Sequence, residues 1–378
     1  MTTAARSAAG ATGAADARSL LRRSFATPAR AAVTSIVAAA VVAVALPLVR
    51  WAFVDATWRG TADACRAAAG GACWAFIRRK LPFIVFGLYP AGEHWRPAIA
   101  TALLCALIVA TAMPRCWTRW LPAAWAAGLA LALGAMHGGL GLAVVPTQQW
   151  GGLPVTVMLT AVGLACGFPL GVLLALGRRS RRPVPRLAAS MIVEGVRGVP
   201  LIAVLYVAVL VFPLALPGGV SLDKLLLAQM AVIVFAAAYL AEAVRSGLQM
   251  VPRQRLDAAL ALGLGWWKAM RLVILPEALR IVIPSFISIA VGFFQDTSLI
   301  VIIGLFDLLN TARLAAQDPD WLGFYTEAFV FVGVIYFCGS AALSRYGLWL
   351  ERRMGTARRE PGGRPGRPLR LTVATPPE

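Results

Sequence analysis

The sequence predicts an all-α, polytopic transmembrane helical bundle of about eight spans. Three observations predict it. Hydrophobic residues make up 59% of the 378-residue chain and charged residues only 14%, where a soluble chain carries roughly 25% charged. Several windows exceed the ~18–20 apolar residues that cross a bilayer as a helix. An alternation of period two, the mark of a strand, does not persist over any useful length.

Spans are expected at about 31–54, 96–114, 121–144, 153–177, 187–214, 224–245, 281–305 and 326–348. Residues 1–30 are rich in Ala, Ser and Arg and read as a disordered tail. The apolar run from Ala31 leads into RWAF and not into a small-residue cleavage site, so it reads as a span and not as a signal peptide. An even number of spans puts both termini on one side, and the cations choose that side. Arg6, Arg18, Arg22, Arg23 and Arg30 precede the first span. Arg178, Arg179, Arg181, Arg182 and Arg186 crowd the 177–186 loop. Arg253, Arg255, Lys268, Arg271 and Arg280 mark 246–280, and the 351–378 tail is basic. The alternate loops 145–152, 215–223 and 306–325 hold only Arg313. Both termini are therefore expected in the cytoplasm. One loop runs against the pattern: 55–95 would face outward yet carries Arg59, Arg66, Arg78, Arg79 and Lys80. Long loops tolerate this better than short ones. It also holds Cys65 and Cys73, and in an outward loop both a disulfide and two free thiols stay open.

Several function classes are excluded. The net charge of +19 lies between apolar runs and in the tails, with no aromatic-interleaved basic patch, so it argues for membrane orientation and against nucleic acid. The six cysteines contain no CxxC, and His94 and His137 are far apart, which removes the usual zinc and histidine chemistry. HExxH and GxSxG are absent, so an integral-membrane enzyme is disfavoured. The lysines are Lys80, Lys224 and Lys268, none preceded by Gly, so there is no P-loop.

Residues 257–280, DAALALGLGWWKAMRLVILPEALR, interrupt this apolar chain. Pro252 suits a first helical turn. Leu256, Leu260, Leu264 and Trp267 then recur at helical spacing. Asp257 favours the positive end of the helix dipole. Ala258 and Ala259 present a low surface, and Gly263 suits a C′ stop. A second short helix is expected from Leu264 to Leu275, ended by Pro276. The loop thus reads as a helix–Gly–helix along the membrane face. An interfacial lipid anchor would carry bulk at 258 and 259, whereas a docking helix needs close approach.

These residues resemble the EAA loop of ABC-importer permeases, here Asp257-Ala258-Ala259, Gly263 and Ile274-Leu275-Pro276. The resemblance extends to GGLPVTVMLT (151–160), LGVLLALGRRS (170–180), EGVRGVPLI (194–202), AYLAEAVRSGLQMVP (238–252) and FFQDTSLIVIIGL (293–305). Together these cover about 150–350 and are similar to polar-amino-acid permeases. The three extra N-terminal spans and GACWAF (71–76) resemble the long M-type permease of general L-amino-acid importers, which pairs with a related Q-type permease. Four positions depart from the family pattern. Asp257 replaces Glu, Gln254-Arg255 replaces Gly-Gln, Glu277 replaces Gln, and Gln295 replaces Lys.

The resemblance implies three working partners: a separate cytoplasmic ABC ATPase dimer that uses the ATP, a second permease, and a periplasmic solute-binding protein. It implies that Asp257, Ala258, Ala259 and Gly263 couple the permease to the ATPase. It also implies that 31–150 precedes a five-span core at 151–350. Within spans, charges are expensive and suggest function. Glu194 and Arg197 can pair at i, i+3, and so can Glu242 and Arg245. Asp296, followed by Thr297 and Ser298, has no cation within one turn of its own sequence. An amino acid carries an ammonium that Asp296 could meet and a carboxylate that Arg197 could meet. The rival reading is an ion-coupled secondary carrier, for which no inverted repeat is visible.

Overall fold

The structure is a computed structural model describing residue 24 and residues 27–353, apart from 69, 117, 140 and 218–221. The expected N-terminal tail, apart from 24 and 27–30, and residues 354–378 of the basic C-terminal tail lie outside the described residues.

Among the described residues six helices are long and apolar enough to cross a membrane: Pro28–Val54, Trp95–Ala112, Gly152–Arg178, Lys224–Met250, Trp266–Ile303 and Tyr325–Arg352. A seventh apolar segment is a bent pair of helices. The expected straight span at 187–214 is instead Pro183–Arg197 followed by Leu201–Ala215, bent by 108°. Pro200 drives Val199 out of the helical region, and Gly198 offers no resistance to the turn. The expected span 121–144 is shorter, Leu121–His137, or about 25 Å of helix. Gly138, Gly139 and Gly141 all take positive φ and end it.

The described residues form two compact units. The smaller contains Met1–Lys80 and Asp318–Glu327. Its helix α1 (Pro28–Val49) starts where the Thr27 hydroxyl accepts from the Arg30 N–H, and it buries none of its residues within the chain. Helix α2 (Ala62–Ala67) and the start of α3 (Trp74–Phe86) are joined by a disulfide between Cys65 and Cys73. The Cys73 N–H donates to Glu327 Oε1 at 3.0 Å, and Lys80 Nζ lies 2.7 Å from Asp318 Oδ2. That ammonium holds the Asp318 carboxyl below the usual carboxylate range. Phe76 is sealed against Trp321 and Phe324, with centroids 5.9 and 5.8 Å away. Cys73→Ser is expected to weaken this unit by about 2–3 kcal/mol, the value for a bridge closing so short a loop. Faster amide exchange across 57–80 is the readout, and unchanged exchange would show that packing alone holds the loop.

The larger unit, Leu81–Gln317 and Ala328–Glu378, holds α4 (Trp95–Ala112), α5 (Leu121–His137) and the remaining helices. Its spine is α6 (Gly152–Arg178) against α9 (Lys224–Met250). Gly163, Gly167 and Gly171 form a smooth ridge on α6. A Cβ at Gly167 would sit 2.9 Å from the Ala236 Cβ, and one at Gly171 would sit 2.9 Å from the Ala237 carbonyl oxygen. Without lipid-excluding hydrophobic drive, such small residues let helix backbones approach and gain dispersion. Around this spine the core runs from Leu104 and Met136 through Leu159 and Leu240 to Ile300.

Helix α7 (Pro183–Arg197) lies across one end of α6 and α9, and α8 (Leu201–Tyr206) starts the second arm of the bent pair. After α9 the chain makes α10 (Arg253–Ala261) and α11 (Trp266–Ala269). The second loop helix was expected to stop at Pro276, but it does not. A π turn at Met270–Ile274 leads directly into α12 (Leu275–Asp296). Pro276 sits in the first turn of α12, where its missing N–H is harmless, and the widened turn before it relieves the ring's clash with the preceding carbonyl. Beyond a 3₁₀ stretch (Thr297–Ile303) come α13 (Leu308–Ala315) and the long α14 (Tyr325–Arg353).

Candidate functional site

The loop between α9 and α12 begins at Pro252, which precedes α10. It ends in two reverse bonds: Leu264 N–H to the Ala259 carbonyl at 3.2 Å, and Gly263 N–H to Leu260 at 2.9 Å. This is the Schellman stop, and it requires the left-handed Gly263, φ +81°. Asp257 and Ala258 are exposed. Ala259 is not: it is 4% exposed and turned into its own chain. The apolar stripe divides in the same way, with Leu256 and Leu264 half-buried and Leu260 and Trp267 exposed. The face open to a partner therefore contains Asp257, Ala258, Leu260 and Gly263, and Ala259 anchors the helix from behind.

Two of the sequence departures meet. Arg255 Nη1 lies 2.6 Å from Glu277 Oε2, tying α10 to the base of α12. Met270 and Ile274 are buried beside Val244, Leu248 and Ala278. Gly247 lets α9 approach the Ala278 carbonyl, which a Cβ would meet at 2.7 Å.

Beside this loop lies a charge network. Glu194 and Arg197 do not pair with each other as their i, i+3 spacing suggested. Arg178, at the end of α6, takes Glu194 Oε1 at 2.8 Å and Glu242 Oε2 at 2.8 Å. Arg197 lies 3.4 Å from Glu242 and 5.4 Å over the Tyr239 ring. The expected pair of Arg245 with Glu242 is present. Glu242 is thus shared by three guanidiniums, while the Glu194 side chain is 68% exposed.

Asp296 ends α12 and is half-buried, and among the described residues no hydrogen bond or ion pair engages it. Gln295 Nε2 donates to Ser340 Oγ at 3.2 Å. Thr297 is buried, its hydroxyl donating to the Phe294 carbonyl at 2.9 Å, and Ser298 Oγ donates to the Gln295 carbonyl.

A polar group that the sequence reading left in a loop holds this turn from behind. Asp307 is fully buried. It caps α13, accepting from the Leu309 and Asn310 N–H groups at 3.2 and 3.0 Å. It also accepts from the Tyr336 hydroxyl at 2.8 Å. That hydroxyl lies 3.4 Å from Thr297 Oγ1, and Asn310 Nδ2 donates to the Ser298 carbonyl at 3.1 Å. Thr156 Oγ1 accepts from the Leu308 N–H. The D-x-x-N order was a readable cap signal; the Tyr336 and Thr156 partners, from distant helices, were not.

Known proteins resemble this chain in sequence. The sequence profile of the binding-protein-dependent transport system inner membrane component family matches residues 167–356. The chain is 44% identical over 321 residues to the inner membrane amino-acid ABC transporter permease protein YhdY of Escherichia coli (strain K12), across 82% of this chain and 86% of that protein. It is 35% identical over 345 residues to the glutamate/glutamine/aspartate/asparagine transport system permease protein BztC of Rhodobacter capsulatus, across 76% and 80%. A crystal structure of an amino acid ABC transporter with histidines aligns with 53% of this chain and 91% of its own at 27% identity and a TM-score of 0.48. The chain belongs to the binding-protein-dependent transport system inner membrane component family, and it is a multi-pass inner-membrane permease subunit of an ABC importer.

Proposed function

We propose that this permease carries an amino acid, with Asp296 receiving the ammonium group. The carrying observation is a half-buried carboxylate without an internal partner, set where α12 gives way to a tighter turn. A carboxylate within a span demands a counter-charge, and a substrate ammonium supplies one only while bound. Thr297 and Ser298 follow on the same turn. Glu194 and Arg197 belong to the cytoplasmic end of the path, where they are engaged by Arg178 and Glu242. Asp296→Asn in ATP-driven uptake by proteoliposomes holding the complete importer is expected to raise the apparent KM about tenfold or more, the worth of one charge-assisted hydrogen bond. An unchanged KM would remove Asp296 from the path.

ATP is bound and used by a partner ATPase dimer, to which α10 docks through Asp257 and Ala258, with Gly263 setting the stop. Ala259 supports that helix from inside the permease. The small exposed face supports this reading, since a docking helix needs close approach. Ala258→Trp is expected to lower uptake about tenfold while insertion and thermal stability stay unchanged, because position 258 is exposed. A Cys at 258 should cross-link to the ATPase in a nucleotide-dependent way. Normal uptake by Ala258→Trp would return α10 to an interfacial helix.

A solute-binding protein delivers the substrate from outside, and a related second permease completes the pore. Both termini are cytoplasmic in this reading. The Cys65–Cys73 bridge supports an outward 55–95 loop, since disulfides persist in oxidising compartments.

A further inference from the structure

A groove of about 500 Å³ opens where α7 crosses the ends of α6 and α9. One wall is cationic, with Arg178, Arg186 and Arg245, and Ser190 adds a hydroxyl. The other wall is apolar, with Val184 and Leu187 exposed at 75% and 63%. The two walls follow from the α7 sequence. Arg186, Ser190, Glu194 and Arg197 make one stripe at helical spacing, and Val184, Leu187 and Met191 make the next.

The charges around the groove do not balance. Arg178, Arg186, Arg197 and Arg245 are four cations facing two carboxylates, Glu194 and Glu242, which leaves a net charge of +2 (4 − 2). Arg186 has no carboxylate partner among the described residues. An anion is therefore called for, and the apolar wall calls for an alkyl chain beside it. A free inorganic anion would leave Val184 and Leu187 unused. A zwitterionic lipid would leave the excess charge unmet.

We infer that the groove binds an anionic phospholipid, its phosphate diester between Arg186, Arg178 and Arg245 and its acyl chain along Val184 and Leu187. Basic pockets between spans on the cytoplasmic side hold such headgroups, and each cation near an anionic lipid is worth about fivefold in affinity. The occupant would sit on the Arg178–Glu242 network, so lipid charge and the cytoplasmic end of the pore are connected.

The test uses the complete importer in nanodiscs of phosphatidylcholine with and without phosphatidylglycerol. Native mass spectrometry counts the lipid retained on release. Phosphatidylglycerol should be retained over phosphatidylcholine, about fivefold less by Arg186→Ala and unchanged by Arg115→Ala, whose cation lies outside the groove. Among the described residues Arg186 makes no ion pair, so its loss leaves the Glu242 network standing. Equal retention of both lipids, or full retention by Arg186→Ala, would overturn the proposal. So would release of phosphatidylglycerol by inorganic phosphate, which marks a free-anion site. Loss of the ATPase from Arg186→Ala with lipid retention intact would assign the groove to a protein interface and also overturn it.

Discussion

Asp307→Ala is expected to abolish uptake and to lower the thermal stability of the importer by about 4 kcal/mol or more, the sum of a lost helix cap and two stranded donors. The reasoning is local. One carboxylate satisfies the first N–H groups of α13, the Tyr336 hydroxyl and the Asn310 amide. Alanine returns none of these bonds, and a buried site fully closed to solvent offers no ready replacement. Transport is expected to fail for a second reason. Tyr336 and Asn310 are the groups that hold Thr297 and Ser298 in place beside Asp296. Tyr336→Phe removes the bond to Asp307 and the contact with Thr297 but spares the cap, and should cost about 1.5–3 kcal/mol. A thermal midpoint and an uptake rate for both variants decide the matter. Near-native values for Asp307→Ala would mean that water or repacking replaces the carboxylate.

The second large effect is expected at Glu242. Glu242→Gln leaves Arg178, Arg197 and Arg245 gathered without their shared counter-charge. Breaking a buried pair costs about 3–5 kcal/mol. Arg197 is 37% exposed and can turn to water, which brings the figure to about 2–3 kcal/mol. The double variant Glu242→Gln, Arg245→Gln should recover part of that loss, since one stranded cation is gone. A double-variant cycle on thermal stability reads this directly. Strict additivity would show that Arg245 and Glu242 do not act together.

Much of this could be read from the residues. Hydropathy placed six of the eight expected spans on helices long enough to cross a membrane, because lipid imposes its own length and leaves the backbone no alternative to a helix. The segments expected at 121–144 and 187–214 are shortened and bent, respectively. Gly263 declared itself as a helix stop because a single left-handed position suffices. The 108° bend was available in Gly198-Val199-Pro200, but a continuous apolar run from 187 to 214 masked it. Other features depended on distant partners. Periodicity placed Ala259 on a surface without saying which surface, and it is buried. Glu194 found Arg178 on another helix in preference to the Arg197 one turn away. Asp307 reads as a loop residue until Tyr336 is brought to it and Thr156 to the neighbouring Leu308 amide. The glycine ridge on α6 is visible as a four-residue repeat, but its meaning depends on Ala236 and Ala237.

The smaller unit also sets an order of events in time. Its contacts join positions 254 residues apart, Cys73 to Glu327, and 238 apart, Lys80 to Asp318. During synthesis the first half of each pair waits while six further apolar segments are made and inserted. Such long-range closure comes late because the intervening chain's freedom must be given up before any contact rewards it. Until then Phe76 lacks Trp321 and Phe324, and the Cys73 amide lacks its acceptor. Completion of this unit therefore reports that the last helix has arrived, and a quality-control protease that recognised its unfinished form would dispose only of chains whose assembly had stalled.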